Sequence, residues 1–246
     1  MTKKLCFSML ILLLLSIHTT LYAQAIPFTP NNAEWIVQLN QIGDGYLNEF
    51  AYSPDAEDIV FAGSLGLWRL DTTANDATLQ HLGKIALYSV TFNPTGTTLA
   101  TGSVDGHVEI WDVATWSLKF TIRVHTHAIR HVAFSPDGSR LVAIAGDRVK
   151  VLDVLTGETV YQLIGHTRPI YDVAYHPQGT QIATASFDDT VRIWDATTGE
   201  FIISISDSTD SVLCVTYNLE GNLVASSSYD GVIRIYNPQT GALLQT

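Results

Sequence analysis

The sequence has little positive charge. Of its 246 residues, 13 are Lys or Arg and 24 are Asp or Glu, which gives a formal net charge of −11. Because Lys3 and Lys4 lie close to the N-terminus, the chain beyond residue 25 carries 11 basic and 24 acidic residues, a net charge of −13. A surface of this sign repels nucleic-acid phosphates and anionic lipids. We therefore expect neither a nucleic acid nor a membrane surface as the partner of the mature domain.

Long apolar runs are also missing. The longest, Leu5 to Ile17, has thirteen residues, whereas a helix that crosses a bilayer needs about 20. Lys3 and Lys4 precede this run and Ala23-Gln24-Ala25 follows it, a pattern typical of a cleaved export signal. We expect residues 1–25 to be a signal peptide, residues 26–34 a linker, and the protein to be secreted or otherwise extracytoplasmic. The alternative is an uncleaved signal anchor that tethers the protein to a membrane.

The sequence has only two cysteines, Cys6 and Cys214. Cys6 lies in the predicted signal peptide and would be removed with it. The mature domain is therefore expected to have no internal disulfide, although disulfides are common in exported proteins. Cys214 lies in the apolar run from Val212 to Val215, so we expect a packed, inert thiol.

Catalytic motifs are absent too: there is no glycine-rich phosphate loop, no Cys–His pair and no Gly-x-Ser-x-Gly motif. His125, His127 and His131 have the spacing of metal ligands, and Asp188 with Asp189 would suit acid–base chemistry. However, the sequence repeats internally, and His125 and Asp188 each lie at a position that is shared by other copies of the repeat. We therefore expect structural roles for them, and no catalytic, metal or cofactor site.

Two landmarks repeat five times in step along the chain. The first is an aromatic residue before a turn, at intervals of 40, 42, 41 and 42 residues: Tyr52, Phe92, Phe134, Tyr175 and Tyr217. The second ends each unit, at intervals of 41, 41, 42 and 42 residues: Leu70-Asp71, Trp111-Asp112, Leu152-Asp153, Trp194-Asp195 and Tyr236-Asn237. Two independent landmarks that keep the same period indicate a repeat array.

Each unit contains four short strand patterns separated by turn residues. In the second unit these are Tyr88 to Phe92, Thr98 to Ser103, His107 to Trp111 and Leu118 to Ile122. Alternating or clustered apolar and β-branched residues favour strands, and Pro, Gly, Asp and Asn favour the turns between them. A four-stranded unit of this size cannot bury both faces alone, so neighbouring units must cover them. The sequence predicts an all-β protein of about five four-stranded units.

The fourth unit carries Gly165-His166, Ser186, Asp188 and Trp194-Asp195. With these residues and this period, residues 35–246 resemble a WD-repeat (WD40) β-propeller. The approximate repeats are 43–83, 84–124, 125–165, 166–207 and 208–246. The resemblance implies a buried hydrogen-bonded set of His166, Ser186, Asp188 and Trp194. In it, His166 bonds Asp188 and is oriented by Ser186, and its partners stack against the Trp194 indole.

The other repeats keep only part of that set. The matching residues are Ser103, Asp105 and Trp111 in the second repeat, His125 in the third, and Ser228 and Asp230 in the fifth. We therefore expect one complete polar set, in the fourth repeat. The other blades are expected to depend on apolar packing between neighbours.

Five repeats are fewer than the seven that usually close a ring in this family. A strand at Trp35 to Leu39 and one at Ala242 to Gln245 would compete for the same outer position of a five-bladed ring. We therefore expect the chain to be part of a larger, seven-bladed ring, with self-association as a possible result of an incomplete one. The alternative is a five-bladed or imperfectly closed ring.

The family resemblance implies binding of a protein or peptide at the rim of the blades. The candidate rim residues are Val104, Phe187 and Tyr229, each between the Ser and Asp of a turn, and Arg130, Arg168 and Tyr171, near the innermost strands. Aromatic and Arg side chains are enriched in binding hot spots. The favoured function is a non-catalytic protein- or peptide-binding scaffold without a cofactor. The alternatives are a fragment of a larger sensor or adaptor, and an enzyme that uses the central funnel.

Overall fold

The computed structural model describes residues 45–73 and 79–246. The predicted signal peptide (1–25), the linker (26–34) and the predicted strand at Trp35 to Leu39 lie outside the described residues. Within the described part of the chain, no helix is long and apolar enough to cross a membrane.

The described residues form five antiparallel sheets, each of four strands that follow one another along the chain. The first sheet contains β1 (Leu47–Tyr52), β2 (Asp58–Gly63), β3 (Gly66–Asp71) and β4 (Leu79–Gly83), and the second contains β5 (Leu87–Phe92), β6 (Thr98–Ser103), β7 (His107–Asp112) and β8 (Ser117–Arg123). The third contains β9 (His131–Phe134), β10 (Arg140–Ala145), β11 (Arg148–Asp153) and β12 (Thr159–Leu163). The fourth contains β13 (Ile170–Tyr175), β14 (Gln181–Ser186), β15 (Val191–Asp195) and β16 (Phe201–Ile205), and the fifth β17 (Val212–Tyr217), β18 (Val224–Ser228), β19 (Ile233–Tyr236) and β20 (Leu243–Gln245). These sheets confirm the predicted all-β fold of five four-stranded units.

The turn after each first strand shows how the sequence fixes these sheets. In the second sheet, Asn93 directly follows β5, and its side-chain oxygen accepts a hydrogen bond of 3.0 Å from the backbone nitrogen of Thr98. Gly96 adopts a φ of 72°, which a residue without a Cβ reaches at little cost. The chain therefore reverses over a few residues, and β6 pairs with β5 from Phe92–Leu99 onward.

The core lies between the sheets rather than inside any one of them. The first strand of each sheet packs against the first strand of the next, in the order β1, β5, β9, β13 and β17. Four clusters of buried apolar residues fill the four spaces between neighbouring sheets. Between the third and fourth sheets, for example, Ile144 and Val151 pack with Ile182 and Trp194. Each sheet is thus stabilised by its neighbours, as repeat architectures require.

The first sheet differs from the others on one face. Leu47 and Tyr52 of β1 are 51% and 56% exposed, whereas Leu87 and Phe92, at the matching positions of β5, are 1% and 9% exposed. Among the described residues, β17 does not pack against β1 as the other first strands pack against one another. The larger ring and the self-association stay predictions.

Cys214 differs from the sequence-based expectation. It lies on β17 and is half-buried, but it is disulfide-bonded, so the prediction of a free, inert thiol is wrong. That prediction assumed that Cys6, the other cysteine of the sequence, is removed with the signal peptide. Cys6 lies outside the described residues.

Candidate functional site

The turns between the second and third strands of three sheets present one side chain outward. In the fourth sheet, Ser186 Oγ accepts a hydrogen bond of 3.1 Å from the backbone nitrogen of Asp188. Ser228 and Asp230 make the same 3.1 Å contact in the fifth sheet. These short-range bonds close the turn on either side of the middle residue, which is Phe187 or Tyr229. Tyr229 is 47% exposed, and Val104, at the same position of the second sheet, is 40% exposed.

A second set of side chains comes from the start of the first strands. The pairing of β13 with β14 skips one residue between Ile170 and Asp172, and the pairing of β5 with β6 skips one between Leu87 and Ser89. The skipped residues are Tyr171 and Tyr88. A bulge of this kind bends the strand and redirects the side chain of the extra residue. Arg130, directly before β9, occupies the matching place in the third sheet.

Six of these side chains form one continuous group, which we name the rim cluster: Tyr88, Arg130, Arg168, Tyr171, Phe187 and Tyr229. The rings of Tyr171 and Phe187 stack with centroids 4.2 Å apart and planes at 24°, and the ring of Tyr229 lies 6.0 Å from that of Phe187. The rim cluster therefore contains five of the six predicted rim residues. Val104 lies on the second sheet, outside it, and Tyr88 joins it although the sequence did not single it out.

Both arginines of the rim cluster lie over aromatic rings. Arg130 Cζ is 5.7 Å from the ring of Tyr88 and 5.8 Å from that of Tyr171, while Arg168 Cζ is 5.8 Å from the ring of Phe187. These distances suit cation–π attraction, which holds a guanidinium in place without neutralising it.

Neither arginine has a carboxylate within 4.0 Å among the described residues. Other arginines of the chain do, including Arg69 with Asp58 and Arg234 with Asp230. Arg130 and Arg168 are exposed, so the rim cluster presents two unpaired positive charges in an acidic protein.

A cavity of about 560 Å³ lies beside the rim cluster, between the third and fourth sheets. We name it the notch and define it by His125, His127, Gly146, Asp147, Arg148 and Arg168, which line it. Arg168 therefore belongs to both the notch and the rim cluster. His125 Nδ1 and His127 Nδ1 lie 3.2 Å apart.

The predicted metal and acid–base alternatives are not assembled in the structure. His131 lies on β9 between two carboxylates, away from His125 and His127, because the residues that follow His127 lead into the first strand. Asp189 adopts a φ of 67° in its turn, and Asp188 is bonded to His166 at 2.8 Å. Within the described ranges, no group of three His, Cys, Asp or Glu side chains is arranged to hold a metal ion.

The polar set of the fourth sheet is centred on Thr184. His166 Nδ1 lies 2.8 Å from Asp188 Oδ2, and His166 Nε2 lies 2.7 Å from Thr184 Oγ1. Trp194 Nε1 donates a 2.9 Å hydrogen bond to the same hydroxyl. With the His166 proton on Nδ1, Thr184 donates to Nε2 and accepts from the indole, so both His166 nitrogens, the Thr184 hydroxyl and the Trp194 nitrogen are all paired.

This arrangement corrects the expected role of Ser186. Its hydroxyl donates to the carbonyl of Arg168 at 3.0 Å and does not orient His166. Thr184, two residues earlier on the same face of β14, is instead the residue whose hydroxyl pairs with both the His166 and the Trp194 ring. Those rings meet edge to face, with centroids 6.2 Å apart, and are not stacked. Burial alone would raise the pKa of Asp188, but hydrogen bonds from His166 and Thr190 outweigh it and hold that pKa far below its usual range.

The model of the WD domain, G-beta repeat, matches residues 76–112, 116–150, 157–195 and 199–237, more than half of the chain. The chain belongs to the WD40 family. Each matched segment begins near the last strand of one sheet and ends near the third strand of the next. Each WD40 unit therefore bridges two blades, which links neighbouring blades through the chain itself.

Several WD40 relatives match parts of the chain. It is 34% identical to the WD repeat-containing protein SL1-17 of Schistosoma mansoni over 100 residues, which are 39% of this chain and 32% of that protein. It is 35% identical over 85 residues to the WD repeat-containing protein 91 homolog of Dictyostelium discoideum, covering 35% of this chain and 11% of that protein. It is 38% identical over 64 residues to eukaryotic translation initiation factor 3 subunit I of Pyricularia oryzae, covering 26% and 18%. The chain thus spans about a third or less of the length of these relatives. Members of the WD40 family are generally non-enzymatic scaffolds.

The second, third and fifth WD40 blades carry a charged residue two positions before the Trp position, and it makes polar contacts in each of them. In the fifth blade, Arg234 Nη2 lies 2.8 Å from Asp230 Oδ2 and lowers the pKa of that carboxyl far below its usual range. In the third blade, Lys150 Nζ donates to the carbonyl of Val124 at 2.7 Å. These charged side chains add polar contacts to the apolar packing between neighbouring blades.

The second blade uses an acid in that place. Thr101 donates to Glu109 at 3.2 Å, and burial raises the pKa of Glu109. Ser103 donates to Asp105 in the turn, and Asp105 also lies 3.0 Å from His107 Nδ1. Trp111 is 4% exposed and packs at Gly83, where an added Cβ would lie 3.3 Å from the indole. The predicted Ser103, Asp105 and Trp111 thus form two separate groups.

His125 also departs from its expected role in the third blade. Its Nδ1 accepts a 3.2 Å hydrogen bond from the backbone nitrogen of His127, and Asp147 points to solvent, with 58% of its side chain exposed. The turn at Gly146 and Asp147 is too short to bring the carboxylate back to the imidazole. Burial, followed by the neighbouring charge of His127, lowers the pKa of His125.

The first strands of the WD40 blades share a charged and polar row that the sequence analysis missed. Glu49 Oε2 accepts a 2.9 Å bond from the backbone nitrogen of Val90, Ser89 Oγ a 3.0 Å bond from Val132, and Asp172 Oδ2 a 2.9 Å bond from Val215. Each of these bonds ties one blade to the next. The signal was present, because these residues stand three positions before the landmark aromatics.

His131 occupies the same position in the third blade and joins three blades. Its Nε2 lies 3.4 Å from Glu49 Oε1, and its Nδ1 lies 3.3 Å from Asp172 Oδ1. Burial by itself would lower the pKa of His131, but the Glu49 carboxylate, aided by Asp172, raises it to about 9. Burial would likewise raise the pKa of Glu49, and the His131 charge lowers it instead. For Asp172, burial prevails and the pKa is raised.

Proposed function

We propose that residues 47–246 form a non-catalytic scaffold that binds a protein or peptide at the rim cluster. The observation that carries this proposal is the continuous stack of Tyr171, Phe187 and Tyr229 with Arg130 and Arg168 over its rings. Rigid aromatics and arginines give a large contact area at a low entropy cost, and they dominate the energetics of binding interfaces.

The scaffold beneath the rim cluster supports the same function. Phe187 stands on a turn that Ser186 and Asp188 close, and Asp188 is bonded in turn to the buried His166. A side chain mounted on a bonded turn loses little freedom on binding. Among the relatives, one is named as a subunit of a translation initiation factor, and a role within an assembly suits a scaffold.

Export of the chain stays a prediction, since it depends on residues 1–25 alone. The absence of catalysis is part of the proposal as well. A panel of hydrolase substrates tests it, and turnover that scales with the pure protein would favour the alternative of an enzyme that uses the central funnel.

The binding proposal is tested by capture of partners from the proteins of the source organism, quantified by mass spectrometry. We expect Phe187→Ala to weaken the specific partners by at least about tenfold, as for a hot-spot residue. The matched control is Leu219→Ala, which removes an apolar side chain that is 85% exposed at the opposite end of the fifth blade. If both variants retain the same partners as the unchanged protein, the rim cluster is not the binding surface.

A further inference from the structure

The third blade lacks the side chain that the turns of the second, fourth and fifth blades present. In the second blade, the last strand pair is Gly102–Val108, and residues 103–107 form the turn. In the third blade, pairing continues to Ala145–Arg148, so only Gly146 and Asp147 connect the strands. Gly146 adopts a φ of 65°, and a Cβ added to it would meet no atom within 4 Å. Gly146 and Asp147 of this short turn both line the notch.

The notch has the size and the polarity of a recognition pocket. Its volume of about 560 Å³ lies within the range of ligand-binding pockets. Half of the residues that line it carry an imidazole, guanidinium or carboxylate group, and the other half, which includes Ala145, Gly146 and Pro169, adds apolar surface. Ligand-binding pockets combine apolar walls with a few charged or polar groups in this way.

More positive than negative side chains line the notch. Arg148 and Arg168 both line it, against the single carboxylate of Asp147. Arg148 Nε lies 4.0 Å from Asp147 Oδ1, and both side chains are more than half exposed, so this pair is weak. Arg168 has no carboxylate within 4.0 Å in the described part of the chain. An anionic group in the notch would therefore gain hydrogen bonds to a guanidinium that has no competing partner.

We propose that the notch is a subsite for an anionic side chain of the bound partner. Arg168 lies over Phe187 and lines the notch, so it joins this subsite to the rim cluster. The partner is then a protein segment that carries an acidic or phosphorylated residue a short distance from an apolar or aromatic one. The acidic residue enters the notch, and the apolar one packs on Phe187 and Tyr229. This inference rests on the proposed function of the rim cluster.

The experiment is a selection of random twelve-residue peptides on the full chain. Peptides that bind the unchanged protein but not Phe187→Ala define the rim cluster ligands. We expect them to be enriched in Asp or Glu near an apolar or aromatic residue. The best peptide is then made with its acidic residue replaced by Gln and, separately, by phosphoserine, so that carboxylate and phosphate recognition are distinguished.

Binding of these peptides is measured by fluorescence anisotropy to three proteins: the unchanged chain, Arg168→Gln and Arg123→Gln. Arg123 is an exposed arginine on β8, outside the rim cluster and the notch, and serves as the matched control. We expect Arg168→Gln to weaken the acidic peptide by about tenfold and the Gln peptide by less than about twofold. Arg123→Gln should leave both unchanged. Thermal melts show whether each variant is folded.

The outcomes separate the two proposals. If Phe187-dependent peptides are selected without acidic residues, or if Arg168→Gln weakens the acidic and Gln peptides equally, the anionic subsite is wrong and the rim cluster stands. If no peptide prefers the unchanged protein over Phe187→Ala, the rim cluster fails as a binding surface, and the subsite fails with it.

Discussion

The ion cluster of His131 should make the stability of this protein fall as the pH rises through the neutral range. A rise of the His131 pKa from 6.5 to about 9 corresponds to about 3 kcal/mol of unfolding free energy, at about 1.4 kcal/mol for each pH unit. The folded-state pKa lies above the unfolded value, so this stabilisation is fully present below about pH 6.5. It is lost progressively as the pH approaches 9.

The test compares the unchanged protein with His131→Gln, which keeps a polar side chain of similar size but does not titrate. Equilibrium unfolding in urea, followed by tryptophan fluorescence, gives the unfolding free energy at each pH from 6 to 9.5. We expect the unchanged protein to be more stable at pH 6, and the difference between the two proteins to shrink by about 3 kcal/mol by pH 9.5. Groups that titrate equally in both proteins cancel in this difference.

The matched control is His81→Gln, at an exposed histidine of β4. It should keep the pH dependence of the unchanged protein, because no carboxylate lies within ion-pair distance of His81 among the described residues. If the curves of the unchanged protein and His131→Gln run parallel from pH 6 to 9.5, the Glu49–His131 contact does not hold the charge that the structure assigns to it.

Two further predictions concern the polar set of the fourth blade and are read from the same urea titrations. Thr184→Val keeps the shape of the side chain but removes the hydroxyl that pairs with both His166 and Trp194. We expect the unfolding free energy to fall by roughly 1–3 kcal/mol for each nitrogen left unpaired, whereas Thr184→Ser should retain most of it. Equal losses for Val and Ser would contradict the bridging role of the hydroxyl. Trp194→Ala removes an aromatic side chain that is 2% exposed and should lower the unfolding free energy by about 3–5 kcal/mol. His107→Ala breaks a partly exposed contact with Asp105 and should lower it by less than about 1 kcal/mol. Similar losses for the two variants would mean that the blade alignment is wrong.

The fold was predictable because the same pattern of strands and turns occurs in each repeat. Trp194 and its counterparts in the other repeats have a constant spacing, and the counterparts that are not Trp, such as Leu152 and Tyr236, are still large side chains that pack in the core. A single strand pattern would be ambiguous, but five copies in register favour one architecture. The repeat places Phe187 and Tyr229 at one position of a repeated turn, and the resemblance to the WD40 family implied that this position lies at the rim.

The roles within the blades were less predictable. Ser186 and Thr184 are both small, fully buried hydroxyl residues on one face of β14. Only the packing of the His166 and Trp194 rings against the sheet decides that both rings meet Thr184. Similarly, Arg234 shows no relation to the missing histidine until the strand pairing brings it to Asp230.

By itself, the sequence determined the period, the four-stranded unit and the positions of the turns, because hydrophobic alternation and turn chemistry are local properties that repetition makes unambiguous. Only the tertiary structure decided that Glu49, His131 and Asp172, from three blades, form one ion cluster, and that the short turn at Gly146 opens the notch beside Arg168. Both depend on distances between residues about 20 to 80 positions apart, and packing between blades fixes those distances.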